Sequence, residues 1–384
     1  VMRVTTLYAS SAASSAAYYT KYLTAAPGEV PGVWMGAQAD GLGLVGNVDG
    51  EQLQALLAGL DPVSGRSLGR ALTDRTTSDG RVVKAVAGFD ATLSAPKSLS
   101  VLWALTGDDR LLECHDVAVR AVVESLERWA ATTRVRSNGG RLHLDTVGLS
   151  VAGFRQSTSR LDDPQIHTHL VVSAKVQTAD GRWLALDARV LKQHQRTFGG
   201  VYQSVLRSEL TARFGVGWES IVNGQAEIAG VDPELLAAFS KRAAQVDVET
   251  TARVEEFEAR EGRAPSRFER AAIEREAAAD TRGRKTGTAA AELRTVWRQE
   301  AADLGHTPRS VIEAMRARSI GVNTPVNTGV NTPVNTGVNN ATNTSEHANV
   351  DAAPKTTVAE IVAALSERRS VWHDLDVLRE ITDR

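Results

Sequence analysis

With 384 residues the chain has room for two ordinary domains, or for one core with appendages. Its 42% apolar and 23% charged content is that of a globular chain, and its one cysteine, Cys114, excludes an intramolecular disulfide framework and any cysteine-only metal cluster. The formal net charge of −2 gives no overall pull towards nucleic acid, although residues 61–215 carry about five more basic than acidic side chains.

No window approaches the roughly 18 uninterrupted apolar residues of a membrane span, and the small polar start lacks the layout of a secretory signal. A cytoplasmic location without membrane insertion is the expectation. The absent initiator methionine and the stop at Arg384 read as a fragment or a translated open reading frame.

In chain order, the first candidates are three of the five tyrosines, clustered at Tyr18, Tyr19 and Tyr22. On a helix Tyr18 and Tyr22 would share a face, with Tyr19 pointing elsewhere. Glu51 to Leu60 has helical apolar spacing. Phe89, Ala91 and Leu93 alternate with Asp90 and Thr92 in a short strand that breaks at Pro96. Leu111 to Ala131 is an amphipathic helix, with Leu112, Val119, Val122, Val123, Leu126 and Trp129 as its buried stripe. Gly148 to Gln156 and Ile166 to Val176 read as strands of an antiparallel hairpin, joined by a long loop from Ser157 to Gln165. Arg196 to Phe214 is helical again. Helices and strands do not alternate in a βαβ rhythm, so an α+β fold with an antiparallel sheet is expected.

From composition, residues 1–232 mix helical and strand patterns and 233–320 form an Ala-, Glu- and Arg-rich helical part. Residues 321–355 form a Val-Asn-Thr-rich flexible linker, and 356–384 the truncated start of a following region.

The chemistry begins with Ile166-His167-Thr168-His169. Alternate residues of a strand face the same way, so His167 and His169 project together, about 6.5 to 7 Å apart along it. They can converge on one divalent ion; they equally suit a polar edge-strand face or hydrogen-bonded core positions. The antiparallel partner brings Gln156 beside them, whose amide oxygen could be a third, weaker ligand. Two imidazoles and a carbonyl-type oxygen suit Mg²⁺ or Mn²⁺ shared with a phosphate better than a structural zinc. A tyrosine phenol is a poor nucleophile at neutral pH unless a metal-bound phosphate and a positioned base assist it; otherwise the rings simply pack. Asp90, opposite the apolar set of its strand, could accept a proton or orient a histidine. Lys97 could contact a phosphate or merely open a helix.

Taken in order, these pieces resemble the relaxase domain of the MobF class of conjugative relaxases, the TrwC and TraI type. The stretches that carry it are Ala17-Tyr18-Tyr19-Thr20, Gly41 to Val48, Gly88-Phe89-Asp90 through Ser100, Thr158-Ser159-Arg160 and Asp163 to His169. Phe198 to Tyr202 and Phe239 to Arg242 continue it more weakly, and it covers about residues 4–315.

The resemblance implies a five-stranded antiparallel HUH-endonuclease sheet, palm-like, with helices on one side and a C-terminal helical clamp over the DNA. It implies nicking and rejoining of one strand at a plasmid transfer origin through a 5′-phosphotyrosyl intermediate. Single-stranded DNA would be the partner, alongside other transfer-complex proteins. By position, Tyr18 (or Tyr19) becomes the nucleophile, Asp90 the acidic partner, and His167 and His169 metal ligands. Lys97, Arg155 and Arg160 would hold the strand. Two departures stand out: the family's usual third histidine falls on Gln156, and of a second tyrosine pair only Tyr22 remains. A weakened origin-binding protein and a hydrolytic metallonuclease are the alternatives. Larger members continue into a helicase; Gly283-Arg284-Lys285-Thr286 lacks the spacing of a phosphate-cradling loop, so no ATPase activity is expected.

Overall fold

A computed structural model describes residues 2–22, 30–137, 140–283, 288, 290–322 and 374–382. Strand β1 (Met2–Tyr8) leads into α1 (Ala12–Ala17), which continues as a π-helical turn (Tyr18–Tyr22). There follow β2 (Val33–Met35), α2 (Ala37–Gly41), α3 (Gly50–Leu57), β3 (Arg75–Thr76), β4 (Val82–Val83) and β5 (Val86–Ser94). Helices α4 (Lys97–Thr106) and α5 (Arg110–Ala130) precede β6 (Thr132–Ser137), β7 (Gly140–Asp145), β8 (Val151–Thr158) and β9 (Pro164–Ser173). Short β10 (Lys175–Gln177) and β11 (Trp183–Ala185) lead to α6 (Ala188–Gln193) and α7 (Gln195–Phe214). The helical part is α8 (Pro233–Ala238), α9 (Lys241–Glu261), α10 (Arg267–Asp280), α11 (Ala290–Asp303) and α12 (Pro308–Val322). A last helix, α13 (Asp374–Thr382), lies beyond the tract 323–373, which falls outside the described residues together with most of the expected linker and following region.

The main sheet has five strands in the order β1-β5-β9-β8-β2, every neighbouring pair antiparallel. Period-two alternation gives it two distinct faces. Phe89, Ala91 and Leu93 of β5, Ile166, Leu170 and Val172 of β9 and Val151 of β8 join a core with α4, α5 and α7. The other face carries Trp34, Ala152, Phe154 and Val171, which pack with Ala12, Ala16, Tyr19, Leu53, Leu56 and Leu57. The one-sided layering implied by the resemblance therefore does not hold: this face is apolar at one end and has to be covered there, by α1 and α3.

The β8–β9 connection is shorter than its polar composition suggests. Pairing extends to Thr158 opposite Pro164, with a register shift between Gln156 and Thr158, leaving a turn of residues 159–163. Asp162 sits in the left-handed region at φ 58°, and the Ser159 hydroxyl accepts from the Leu161 and Asp163 amides at 3.2 Å. The helical part fastens this turn from outside. Trp297 Nε1 of α11 donates to the Asp162 carbonyl at 2.7 Å, and the Arg242 amide of α9 to the Asp163 carboxylate at 3.3 Å. Leu235, Phe239, Leu293, Trp297, Val311 and Met315 enter the same core as the sheet.

Helix α4 begins after Pro96, which offers no side-chain cap; the Glu227 carboxylate takes over, accepting from the amides of Lys97 (3.3 Å) and Ser98 (2.7 Å). Inside α7, Gly200 explains itself by close approach: a Cβ there would lie 2.2 Å from Thr382 Oγ1 of α13. Among the described residues no helix is long and apolar enough to cross a membrane.

Candidate active site

The register of β9 builds the site. His167 lies opposite Gln156 of β8 and Ser94 of β5, and His169 opposite Phe154 and Thr92. The two imidazole rings stand 5.3 Å apart, centroid to centroid, and share with Gln156 the wall of a cavity of about 280 Å³.

Both rings are held in one tautomer. His167 Nδ1 is 2.8 Å from the Gln165 carbonyl oxygen, which can only accept, so Nδ1 carries the proton. His169 Nδ1 lies 2.9 and 3.0 Å from the two Asp90 carboxylate oxygens. Burial alone would raise the Asp90 carboxyl, but hydrogen bonds from His169, Tyr19 and Thr92 outweigh it and hold Asp90 below the usual carboxylate range. Each histidine therefore presents Nε2 as its lone-pair nitrogen, the arrangement found behind metal-bound imidazoles. The donor set of two imidazole nitrogens and one buried amide oxygen fits a divalent cation, with a weaker third donor than imidazole. Among the described residues no group of three or more His, Cys, Asp and Glu stands close enough to hold a metal.

The two adjacent tyrosines separate. Tyr19 is 3% exposed, stacked on Phe154 at 5.4 Å, and donates its hydroxyl to Asp90 Oδ2 at 2.6 Å. Burial first, then the Asp90 charge, pushes its phenol well above the ordinary range, so it remains protonated. Tyr18 is half-buried and lines the cavity with the histidines. Arg160, on the β8–β9 turn, donates to the Tyr18 oxygen at 3.3 Å and to the Gly283 carbonyl at 3.2 Å. Nothing is described for the Tyr22 side chain.

Arg242 and Arg282, from the helical part, complete a wall that has three arginines and, among the described residues, no carboxylate. Sequence reasoning missed both as site residues, since neither lies near the tyrosines or histidines along the chain. Arg242 also ties α9 to the end of α10, donating to Ala278 O and Thr281 O at 2.8 and 2.9 Å.

Lys97 and Arg155 are not brought to this cavity. Arg155 faces the helix layer and pairs with Asp116 of α5. Lys97 donates to the Pro164 carbonyl at 3.0 Å; burial pushes its pKa down to about 8, against the opposing pull of Asp163 and Glu227. Between pH 8 and the ordinary lysine value the unfolded chain binds more protons at this position than the folded one, so this group makes stability rise with pH across that window. Lys97→Met is expected to flatten that rise in thermal midpoints measured from pH 8 to 10.5.

The site thus joins paired histidines on a sheet to a tyrosine-bearing helix, with an arginine wall closing the cavity. A family model described as TrwC relaxase matches residues 3–304, and the chain belongs to that family. The multifunctional conjugation protein TraI of Escherichia coli is 37% identical over 248 residues, spanning 60% of this chain and 13% of TraI. TraI of E. coli strain K12 is 36% identical over the same length. The chain thus spans about an eighth of these curated relatives. Among solved structures, conjugative relaxase TrwC in complex with oriT DNA, metal-bound, aligns with a TM-score of 0.66 at 29% identity, covering 80% of this chain and 100% of that one. TrwC complexed with a 27-mer DNA comprising the recognition hairpin and the cleavage site aligns at 0.65, with 29% identity and the same coverage.

Proposed function

We propose that this chain nicks and rejoins one DNA strand at a plasmid transfer origin in conjugation, through a 5′-phosphotyrosyl intermediate on Tyr18. The observation that carries this reading is the opening of Tyr18 onto the same cavity as His167, His169 and Gln156, with Asp90 and Tyr19 behind them. TrwC, solved with oriT DNA in metal-bound and metal-free forms, supports it.

His167 Nε2, His169 Nε2 and the Gln156 amide oxygen would hold a divalent ion, Mg²⁺ or Mn²⁺. When bound, the ion supplies Lewis acidity to the scissile phosphate. Arg160, Arg242 and Arg282 hold the negatively charged strand across the cavity mouth. The Tyr18 oxygen attacks phosphorus in line as its proton passes to solvent, and the bond to the 3′ oxygen breaks, that oxygen taking a proton from solvent to leave as a 3′-hydroxyl. Arg160 stabilises the charge that develops on the phenol oxygen. Asp90 acts through its two partners, fixing the His169 ring and keeping Tyr19 in place. Residues 233–320 serve as the clamp and residues 321–355 as a linker, while α13, within the expected following region, packs on α7 with Leu375 in the main core.

Incubation with Mg²⁺ or Mn²⁺ and single-stranded oligonucleotides tiling the transfer origin tests this on denaturing gels. A protein band shifted by attached DNA, abolished by chelation, is the expected result; free 5′-phosphate ends without attachment point to a hydrolytic nuclease. Arg282→Ala is expected to lower the slope of log K against log salt by about 1, with Lys97→Met leaving it unchanged.

A second reading, a DNA-binding protein with weakened catalysis, is favoured by one observation: the amide of Gln156 in the third ligand position opposite His167. Gln156→His separates the two. Metal affinity should tighten by about tenfold, equivalent to ~1.4 kcal/mol, in either case. Strand attachment already present in the unsubstituted chain upholds the first reading, and attachment only in the variant upholds the second.

A further inference from the structure

Behind the histidine strand, on the opposite face of the sheet, a buried polar chain crosses an otherwise apolar layer. Thr168, between His167 and His169, points into the helix layer and is 4% exposed; His115 of α5 and Tyr202 of α7 are 0% exposed. His115 Nε2 lies 2.7 Å from Thr168 Oγ1, and His115 Nδ1 2.6 Å from the Tyr202 hydroxyl. Burial keeps the Tyr202 phenol protonated and pushes His115 down to about 3, so the imidazole is neutral. Tyr202 then donates to Nδ1, and Nε2–H donates to Thr168.

Ile166 and Leu170, on the same face of β9 as Thr168, and Ala118 and Phe198, one helical turn from His115 and Tyr202, all belong to the main core. Apolar residues in place of the chain would bind the layers together without a polar group to satisfy. What the chain adds is register. A one-residue slip of β9 would turn Thr168 into the cavity and both histidines into the helix layer. The three hydrogen-bonding groups meet only in the observed register. The neighbouring Arg155–Asp116 pair fastens β8 to α5 at the same level, since Arg155 lies opposite Thr168.

We infer that His115, Thr168 and Tyr202 are positioning residues for the metal site, fixing β9 so that His167 and His169 converge on one ion. This rests on the reading of those histidines as ligands. Mn²⁺ titration of the full chain without DNA, followed by electron paramagnetic resonance, tests it alongside thermal midpoints and amide exchange along β9 in metal-free protein. Thr168→Val is expected to weaken Mn²⁺ binding at least tenfold and to speed exchange at residues 166–169. Its midpoint should fall by only a few degrees, the cost of one orphaned His115 Nε2–H, and Thr168→Ser should keep full affinity. Should Thr168→Val fail to fold, the combined His115→Leu, Thr168→Val, Tyr202→Phe variant removes the chain without leaving an orphaned polar group, and the same loss of affinity is expected. Unchanged Mn²⁺ affinity in these variants, with affinity lost in His167→Ala, overturns this inference alone. Affinity that falls only in step with the midpoint also overturns it. Mn²⁺ binding that survives His167→Ala overturns both the inference and the reading beneath it.

Discussion

Tyr18→Phe is expected to abolish covalent attachment to DNA, a loss of about a thousandfold or more in rate, whereas Tyr19→Phe should stay within about tenfold of the unsubstituted chain. The two phenols are neighbours in sequence, yet their surroundings differ in kind. Tyr19 is enclosed by Phe154 and hydrogen-bonded to Asp90, so its oxygen is neither accessible to a phosphate nor able to ionise near neutral pH. Tyr18 opens onto the histidine cavity and receives a hydrogen bond from Arg160. Single-turnover adduct formation on denaturing gels, run with both variants side by side, checks this. Attachment lost in Tyr19→Phe but kept in Tyr18→Phe would transfer the role to the buried ring.

Asp90→Asn should produce the second-largest effect, a loss of about a hundredfold in metal affinity and adduct rate. The carboxylate accepts from both Tyr19 and His169. An amide of the same shape has one accepting oxygen and one donating nitrogen. With the oxygen kept by Tyr19, the nitrogen faces His169 Nδ1 and favours the opposite tautomer, which places the proton on Nε2 and removes the lone pair a metal needs. Mn²⁺ titration together with single-turnover kinetics measures both consequences. Equal affinity in the variant and the unsubstituted chain would show that Asp90 does not set the tautomer of His169.

Period-two alternation was enough to place His167, His169 and Gln156 on one face, and Asp90 opposite Phe89, Ala91 and Leu93. That face is a local property of each strand, and pairing across a turn is nearly local too. Helical spacing points Tyr19 away from Tyr18, but which of the two is enclosed was not legible, because that depends on Phe154 and Asp90 arriving from strands more than seventy residues away. Nor does ordinary helical spacing anticipate the π-helical turn at Tyr18–Tyr22. Lys97 read as a phosphate contact because a basic residue at a helix start usually is exposed; Pro164, Asp163 and Glu227, remote in sequence, enclose it instead. Arg242 and Arg282 reach the cavity only because Trp297 and the Arg242 amide fasten the helical part to the β8–β9 turn. Contacts of that range follow from packing, which no single-segment pattern encodes.

Strand transfer by this route requires a covalent bond between one tyrosine oxygen and a DNA 5′-phosphate. Digesting the protein–oligonucleotide adduct with trypsin and nuclease, then sequencing the residual nucleotide-bearing peptide by tandem mass spectrometry, tests it most directly. A nucleotide phosphate on Tyr18, within the peptide that runs from Val4 to Lys21, is the expected result. Cleaved DNA with no modified peptide, or a phosphate on any residue other than Tyr18, would contradict it.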